Sequence, residues 1–370
     1  MAEKAYKYRI YPNKKQKELI AKTFGCTRFV YNYYLNKRKE MYENDKITFT
    51  YNMCSKDLTQ LKKELEWLKE PDKDSLQKCL KDLDMAYQKF FKEHTGYPKF
   101  RSKKNRYQSY RTSYTNNNIR FENKKIKLPK LGFVKTRDKQ TPKGRILNAT
   151  ISQEQNGHYY CSLCCTDIEF EQLQKTNQSI GLDLGLVDFV ILSDGTKIEN
   201  PRFFEKSEQK LAKLQRELSR KTIGSNRWNK ARIKVANLQK HISNQRNDFL
   251  QKLTTEIVRY YDIIAVEDLD VKAMKETDST IRNKRVGDVS WSDFRRMLTY
   301  KTQWYGKELS VIDRYYPSSQ ICHCCGALHP EMKDLTIRTI KCDCGLTINR
   351  DQNAAINILR EGLRLLTEVA

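Results

Sequence analysis

Two short cysteine turns constrain this chain more than any other feature. Residues 322–326 read CHCCG and residues 342–345 read CDCG. Each turn closes on a glycine, and sixteen residues separate Cys325 from Cys342. Four thiolates carried on two such turns complete a tetrahedral zinc site, so Cys322, Cys325, Cys342 and Cys344 are the predicted ligands of one structural Zn2+. Cys324, His323 and His329 are alternates within reach. The second pair is C-x-C rather than C-x2-C, which makes its turn tighter. A four-thiolate site is closed, so no chemistry is expected at this zinc. Eleven cysteines in a chain that opens on the polar MAEKAYKYRIYP, with no secretory signal, read as reduced thiols or ligands rather than disulfides. Cys161, Cys164 and Cys165 lie in the alternating stretch HYYCSLCCTDIEF and are expected to be strand core.

Directly after the second turn, RDQNAAINIL opens a helix on an acid, Asp351. Two other acids have a comparable setting. Asp183 ends the apolar run in IGLDLG, and Glu267 ends the one in IIAVEDL. Charged groups avoid such places unless they are paired or hold a cation. If the two strands are neighbours and the helix packs across them, the three carboxylates converge, and only divalent cations would relieve their repulsion. Oxygen-only ligation suits Mg2+ or Mn2+. Two such ions about 3.5–4 Å apart hold a scissile phosphate, activate a water and stabilise the leaving oxygen. Singly, each acid also reads as a strand-end cap or a surface ion pair. Together, in this order and beside the cysteine turns, they read as the metal-binding catalytic set. Asp188, Asp268 and Asp270 flank the same strands. Alternation turns Asp268 away from Glu267, so these three are expected to support the site or face solvent.

The formal charge is +25, from 70 Lys and Arg against 45 Asp and Glu, which points to a polyanionic partner. No apolar run approaches twenty residues, so nucleic acid is favoured over a membrane, and the expected location is cytoplasmic, nucleoid-associated.

The periodicities predict an α/β multidomain chain. AYKYRIYP alternates as a strand ending at Pro12. Helical spacing follows from Asn13, its predicted N-cap, with Leu19, Ile20, Phe24, Val30 and Tyr34 on one face. Further helices are predicted over about 52–69 and 72–93, broken at Pro71. HTGYPKFRSKKNRYQSYRTSYTNNNIRF mixes aromatics with Lys and Arg, without helical period. Strands are then predicted at IKLPKLGFVKT, RILNATIS and HYYCSLCCTDIEF, joining the first strand in a small barrel into which the helices are inserted. EQLQKTNQ reads as a polar linker. SIGLDLGLVDFVILSDG reads as two strands, and 200–259 as two antiparallel helices joined around TIGSNR.

The ordered set YKYRIYPNKKQ, FVYNYYLNKR, GYPKFRSKK, GLDLG, VEDL, PSSQICHCCG, CDCG and NRDQNAAINIL resembles the TnpB (OrfB) family over nearly the whole chain. These are insertion-sequence-encoded, RNA-guided DNA endonucleases related to the type V CRISPR effectors. The resemblance implies a wedge β-barrel over 1–12 and 97–170 and a helical recognition insert over 13–96. It implies a linker at 171–179, an RNase H-like RuvC nuclease domain over 180–316 and 346–370, and a zinc-binding, target-contacting insert at 317–345. It implies cleavage of double-stranded target DNA beside a short motif, directed by a guide RNA from the transposon end. It assigns catalysis and magnesium to Asp183, Glu267 and Asp351, and zinc to the four cysteines named above. Motif-reading contacts would fall on Tyr51, Ser55, Lys73, Gln77, Thr115 and Asn116, although a turn former also explains Asn116. The sequence departs from the common DRD in reading NRD, with Asn349 in place of an acid. Two other readings stand beside this one. A nuclease-inactive RNA-guided regulator would lack one of the acids, and a protein-only transposase would join DNA ends.

Overall fold

The computed structural model describes residues 2–276 and 279–369. The chain forms two compact units, Met1–Glu169 and Phe170–Ala370. Among the described residues, no helix is long and apolar enough to cross a membrane.

In the first unit, β1 (Ala2–Tyr11) alternates as the sequence predicts: Tyr6, Tyr8 and Ile10 are buried between charged neighbours. Three helices follow, α1 (Lys14–Asp45), α2 (Tyr51–Glu64) and α3 (Lys73–Lys92). The start of α1 is a capping box. Asn13 Oδ1 accepts from Gln16 N at 2.9 Å, and Gln16 Oε1 accepts from Asn13 N at 3.0 Å. The three helices share an apolar core in which Leu76, Leu80 and Leu83 of α3 meet Val30 and Tyr34 of α1 and Leu58 of α2.

The remaining strands are β2 (Gln108–Ser113), β3 (Arg120–Glu122), β4 (Lys125–Leu128), β5 (Gly132–Thr136), β6 (Arg145–Gln153) and β7 (Tyr159–Ile168). With β1 they form one antiparallel sheet in the order β2-β6-β7-β1-β5-β4-β3. The first strand therefore does join the later ones. The order has two ends, β2 and β3, and no pairing among the described residues closes it into a barrel. β2 arises within the aromatic and basic stretch, where Tyr110 and Thr112 point inward. In β7, Cys161, Leu163 and Cys165 are fully buried, as expected of core thiols, while Cys164 on the opposite face is half-buried.

The second unit holds β8 (Ser179–Leu184), β9 (Asp188–Leu192), β10 (Lys197–Glu199), α4 (Phe203–Ser219), α5 (Asn226–Tyr260) and β11 (Ile263–Glu267). It continues with α6 (Thr280–Val289), α7 (Trp291–Tyr305), β12 (Glu308–Ile312), β13 (Thr339–Lys341), β14 (Thr347–Asn349) and α8 (Arg350–Val369). The main sheet runs β10-β9-β8-β11-β12, with β8, β11 and β12 parallel and β9 and β10 antiparallel. α6, α7 and β12 go beyond what the sequence pattern predicts. The expected linker is pinned rather than loose: Thr176 N and Asn177 N donate to Asp262, and Lys307 Nζ donates to Gln174 O at 2.8 Å.

The two faces of this sheet differ. Ile180, Leu182, Ile264 and Val266 pack against Leu253 and Ile257 of α5 and Phe294 and Leu298 of α7. The opposite face is covered by α8, with Ile358 packed on Ala265 and Ile312, and it lies so close that neither Gly181 nor Gly362 has room for a side chain. A Cβ on Gly181 would stand 2.0 Å from Ala355 O, and one on Gly362 would stand 2.5 Å from Ala265 Cβ. Ala354 and Ala355 are buried in this contact, so the small residues of DQNAA set how close helix and sheet lie.

Candidate active site and cysteine cluster

Strand register brings the first two acids together. Leu182 of β8 pairs with Val266 of β11 in a parallel ladder, so Asp183 and Glu267 follow side by side. Neighbouring strands lie about 4.8 Å apart, and side chains at equivalent positions share a face. That face is the one carrying Gly181 and Ala265, under α8. Asp351 sits in the first turn of α8, one helical turn before the Ala355 that touches Gly181. The three acids predicted from their sequence settings therefore gather at one end of the helix–sheet contact.

Their electrostatics register this proximity. Burial first, then the charges of Glu267 and Asp351, push the Asp183 carboxyl well above the ordinary range, while Arg350 opposes them. Burial also raises Glu267, against the pull of a 2.6 Å hydrogen bond from Ser318 Oγ. Asp351 is reached by Arg338 Nη1 at 3.6 Å. Asp268 is turned aside, as alternation predicts, and pairs with Arg295 and Arg314; Arg314 also binds Asp270 at 3.0 Å.

Asn349 explains its own departure from DRD. Its Oδ1 accepts from Asp351 N at 3.0 Å and Gln352 N at 3.3 Å, the bonds of a helix N-cap. Asn and Asp cap about equally well, and Asn adds no negative charge beside the three acids.

The four predicted thiols also come together. Cys322, Cys325, Cys342 and Cys344 present sulfurs that all lie within 4.8 Å of one another. Cys322 and Cys344 are 3.7 Å apart, and Cys325 and Cys342 are 3.5 Å apart. A tetrahedron with Zn–S near 2.3 Å has an edge of about 3.8 Å, so the quartet fits a zinc ion. Burial raises the Cys322 thiol, but the backbone N–H groups of Cys325 and Cys324 and the neighbouring thiols bring it down to about 6. Cys324 stands exposed outside this group. Among the described residues, this quartet is the one set of His, Cys, Asp or Glu donors gathered so tightly.

Residues that sequence reasoning missed connect the two sites. Asn353 and Asn357, on the buried face of α8, grip the segment leading into the first cysteine turn. Asn357 Nδ2 donates to Ser318 O at 2.8 Å and Ile321 O at 2.6 Å. Asn353 Nδ2 donates to Ile321 O at 2.7 Å, and its Oδ1 accepts from His323 N at 3.0 Å. Arg350 Nη1 reaches Asp334 O at 3.3 Å. The signal was present as two buried-spacing asparagines in NAAIN, four residues apart.

The candidate motif-reading residues divide. Tyr51 and Ser55 both donate to Gln77 Oε1, at 3.2 and 3.0 Å, across α2 and α3. Lys73 begins α3, in the same helical layer. Thr115 and Asn116 lie instead in a turn beyond β2, where Thr115 N donates to Asn118 Oδ1 at 2.8 Å and Asn116 takes a left-handed φ of 48°.

Fold and site together define a two-unit α/β protein with an acid-bearing mixed sheet and an adjoining thiolate module. Residues 153–278 match the OrfB family model described as "Probable transposase". Residues 291–358 match "Cas12f1-like, TNB domain". Residues 1–46 match an OrfB "Helix-turn-helix domain", although here that segment is one strand and one helix. The chain is 37% identical over 366 residues to the Streptomyces pristinaespiralis protein named "Putative RNA-guided DNA endonuclease", covering 98% of this chain and 90% of that one. It is 33% identical over 379 residues to "Putative RNA-guided DNA endonuclease InsQ" of Escherichia coli K12, covering 98% and 93%. The fold matches the protein in a Cas12f1–sgRNA–target DNA complex at TM-score 0.61 and 12% identity, covering 96% and 98% of the two chains. The chain belongs to the OrfB (TnpB) family.

Proposed function

We propose that this protein is an RNA-guided DNA endonuclease whose nuclease centre is Asp183, Glu267 and Asp351. The observation that carries the proposal is the convergence of these acids, Asp183 and Glu267 side by side on one sheet face and Asp351 at the start of the helix over it, with Asp183 the most strongly perturbed. The names of the two relatives above support the same activity. The parallel β8-β11-β12 core, covered by α8, is consistent with an RNase H-like RuvC domain.

The donor set fits Mg2+ or Mn2+. It is oxygen-only and under-compensated by cations. When bound, such ions would generate a nucleophilic hydroxide and neutralise the scissile phosphate. The chain's own residues hold the carboxylates for that work. Ser318 fixes one oxygen of Glu267, and the N-terminal end of α8 favours the charge on Asp351. One zinc in the thiolate quartet would fasten the segment that carries Ser318.

In this reading the seven-stranded sheet is the wedge and the helices of 13–96 are the recognition insert. Tyr51, Ser55 and Gln77, already hydrogen-bonded together, would meet the target-adjacent motif, with Lys73 beside them. Sequence choice passes to pairing between guide RNA and target DNA, and the basic excess serves the phosphate backbone.

The test is to express the protein with its native flanking DNA and sequence the RNA that copurifies. A noncoding RNA with a constant scaffold and a variable 3′ end is expected, and it directs cleavage of a matching target. Asp183→Ala, Glu267→Ala and Asp351→Ala should each abolish cutting while guided DNA binding survives. Wild-type cutting by any of them, or joined DNA ends made by protein alone, would overturn the proposal.

A further inference from the structure

The first unit contains a groove of about 1120 Å³ that the nuclease reading leaves without a role. It lies between the C-terminal part of α1, the segment after it, the end of α3 and the loop at 97–100. Seven of its nineteen lining residues are aromatic. Phe91 is 68% exposed, Phe100 59% and Tyr42 58%, large apolar surfaces that a soluble protein rarely leaves uncovered together. The floor is built rather than incidental. Tyr87 stacks on Phe91 with centroids 6.3 Å apart, meets Tyr97 edge-on at 5.7 Å, and shares a 2.9 Å hydroxyl hydrogen bond with Tyr97.

Charge decides what this surface suits. Lys39, Lys92 and Lys99 line the groove. Of its two acids, Asp84 is paired with Arg38 at 3.0 Å and Glu43 lies beside Lys39 at 3.7 Å. Lys46 lies over the Tyr42 ring at 5.5 Å. A second copy of the chain, docked through a two-fold axis, would set these lysines against their own equivalents on a protein of charge +25. A nucleic acid strand brings phosphates for the lysines and flat faces for the rings. A duplex hides its base faces, so the occupant has to be unpaired. The proposed reading supplies an unpaired strand of this kind, the RNA that the protein carries.

We infer that this groove binds unpaired nucleotides of RNA, stacking bases on Phe91, Phe100 and Tyr42 and holding phosphates with Lys39, Lys92 and Lys99. The inference rests on the proposed reading that the chain carries an RNA.

The test uses the full-length protein free of RNA, with three probes: oligo(A), oligo(dA) of equal length, and a blunt RNA duplex. Stacking on an aromatic ring gives about 1–3 kcal/mol per base, so Phe91→Ala/Phe100→Ala should weaken oligo(A) binding by roughly tenfold or more. Duplex binding should not change. Phe91→Leu/Phe100→Leu, which keeps apolar area without rings, should show the same loss. An unchanged oligo(A) affinity in either folded variant overturns the inference, as does an equal loss on the duplex. Oligo(dA) that binds as tightly and loses as much overturns the assignment to RNA. A wild-type dimer made monomeric by either variant identifies the groove as a self-interface instead. None of these readouts involves cleavage, so inactive nuclease and failed stacking are separately visible.

Discussion

Replacing Gly181 by alanine tests the placement of the third acid most directly. The new methyl would lie 2.0 Å from Ala355 O, 2.8 Å from Leu359 N and 2.9 Å from Leu359 Cβ. Two of these three atoms are backbone, so no side-chain rotation relieves the clash. Ordinary contact begins near 3.4 Å, so α8 has to retreat by about 1.4 Å at this point. Overpacking of this kind costs about 1–3 kcal/mol, which lowers the Tm of a unit this size by roughly 2–12 °C. On the proposed reading the catalytic cost is larger. Asp351 lies one turn from Ala355 and moves with it, and a misplacement near 1 Å costs on the order of 100-fold in rate. The assay is single-turnover cleavage of a guided target at saturating metal, with target binding and thermal unfolding measured on the same preparation. The expected result is a rate down by roughly 100-fold, intact guided binding and a modest loss of Tm. A Gly181→Ala protein that cuts and melts like the wild type would refute the seating of α8 on β8.

Three further outcomes follow from the structure. Asn357→Leu removes the donor to Ser318 O but leaves Ile321 O its bond from Asn353, so it should cost about 1–3 kcal/mol. Hydrogen exchange should then rise selectively around 318–325, and unchanged protection there would count against the grip. Lys301 is buried among Gln251 O, Thr254 and Thr255 without a carboxylate, and desolvation lowers its pKa to about 8. Between about 8 and the ordinary value of 10.5 the unfolded chain binds more protons, so stability should rise with pH across that window. Lys301→Met should flatten this rise in denaturant titrations, and an unaltered slope would contradict it. Cys342→Ser, or zinc chelation, should loosen residues 318–345 to limited proteolysis while leaving the 1–169 unit as resistant as before. Equal resistance throughout would remove the structural role of the quartet.

The candidate acids and thiols were legible because each broke a local rule. Asp183 and Glu267 interrupt apolar strands, and the cysteine turns repeat a ligand spacing. β1 and α1 were equally plain, one from alternation and the other from its Asn13 cap. α7 and β12 were not, since Trp291, Phe294, Met297 and Leu298 pack on a sheet whose order depends on distant pairings. Ser318 could not be singled out either. Its importance comes from a contact with Glu267 across 51 residues of sequence, and an isolated serine before a cysteine turn carries no pattern. Closure of the barrel expected of the first unit is not seen among the described residues, for a similar reason. Alternation specifies strands and their faces, but not whether the last strand returns to the first.

The close seating of α8 also orders events while the protein is being made. Asp183 leaves the ribosome 168 residues before Asp351, and the N-terminal unit precedes both. Units that fold as they emerge give the first one time to form before the acid set is complete. Until α8 arrives, the sheet face carrying Gly181 and Ala265 is bare and the acid set lacks its third member. Synthesis interrupted before that helix would therefore release a sheet carrying two of the three acids, so that under the proposed function the power to cut DNA is acquired last.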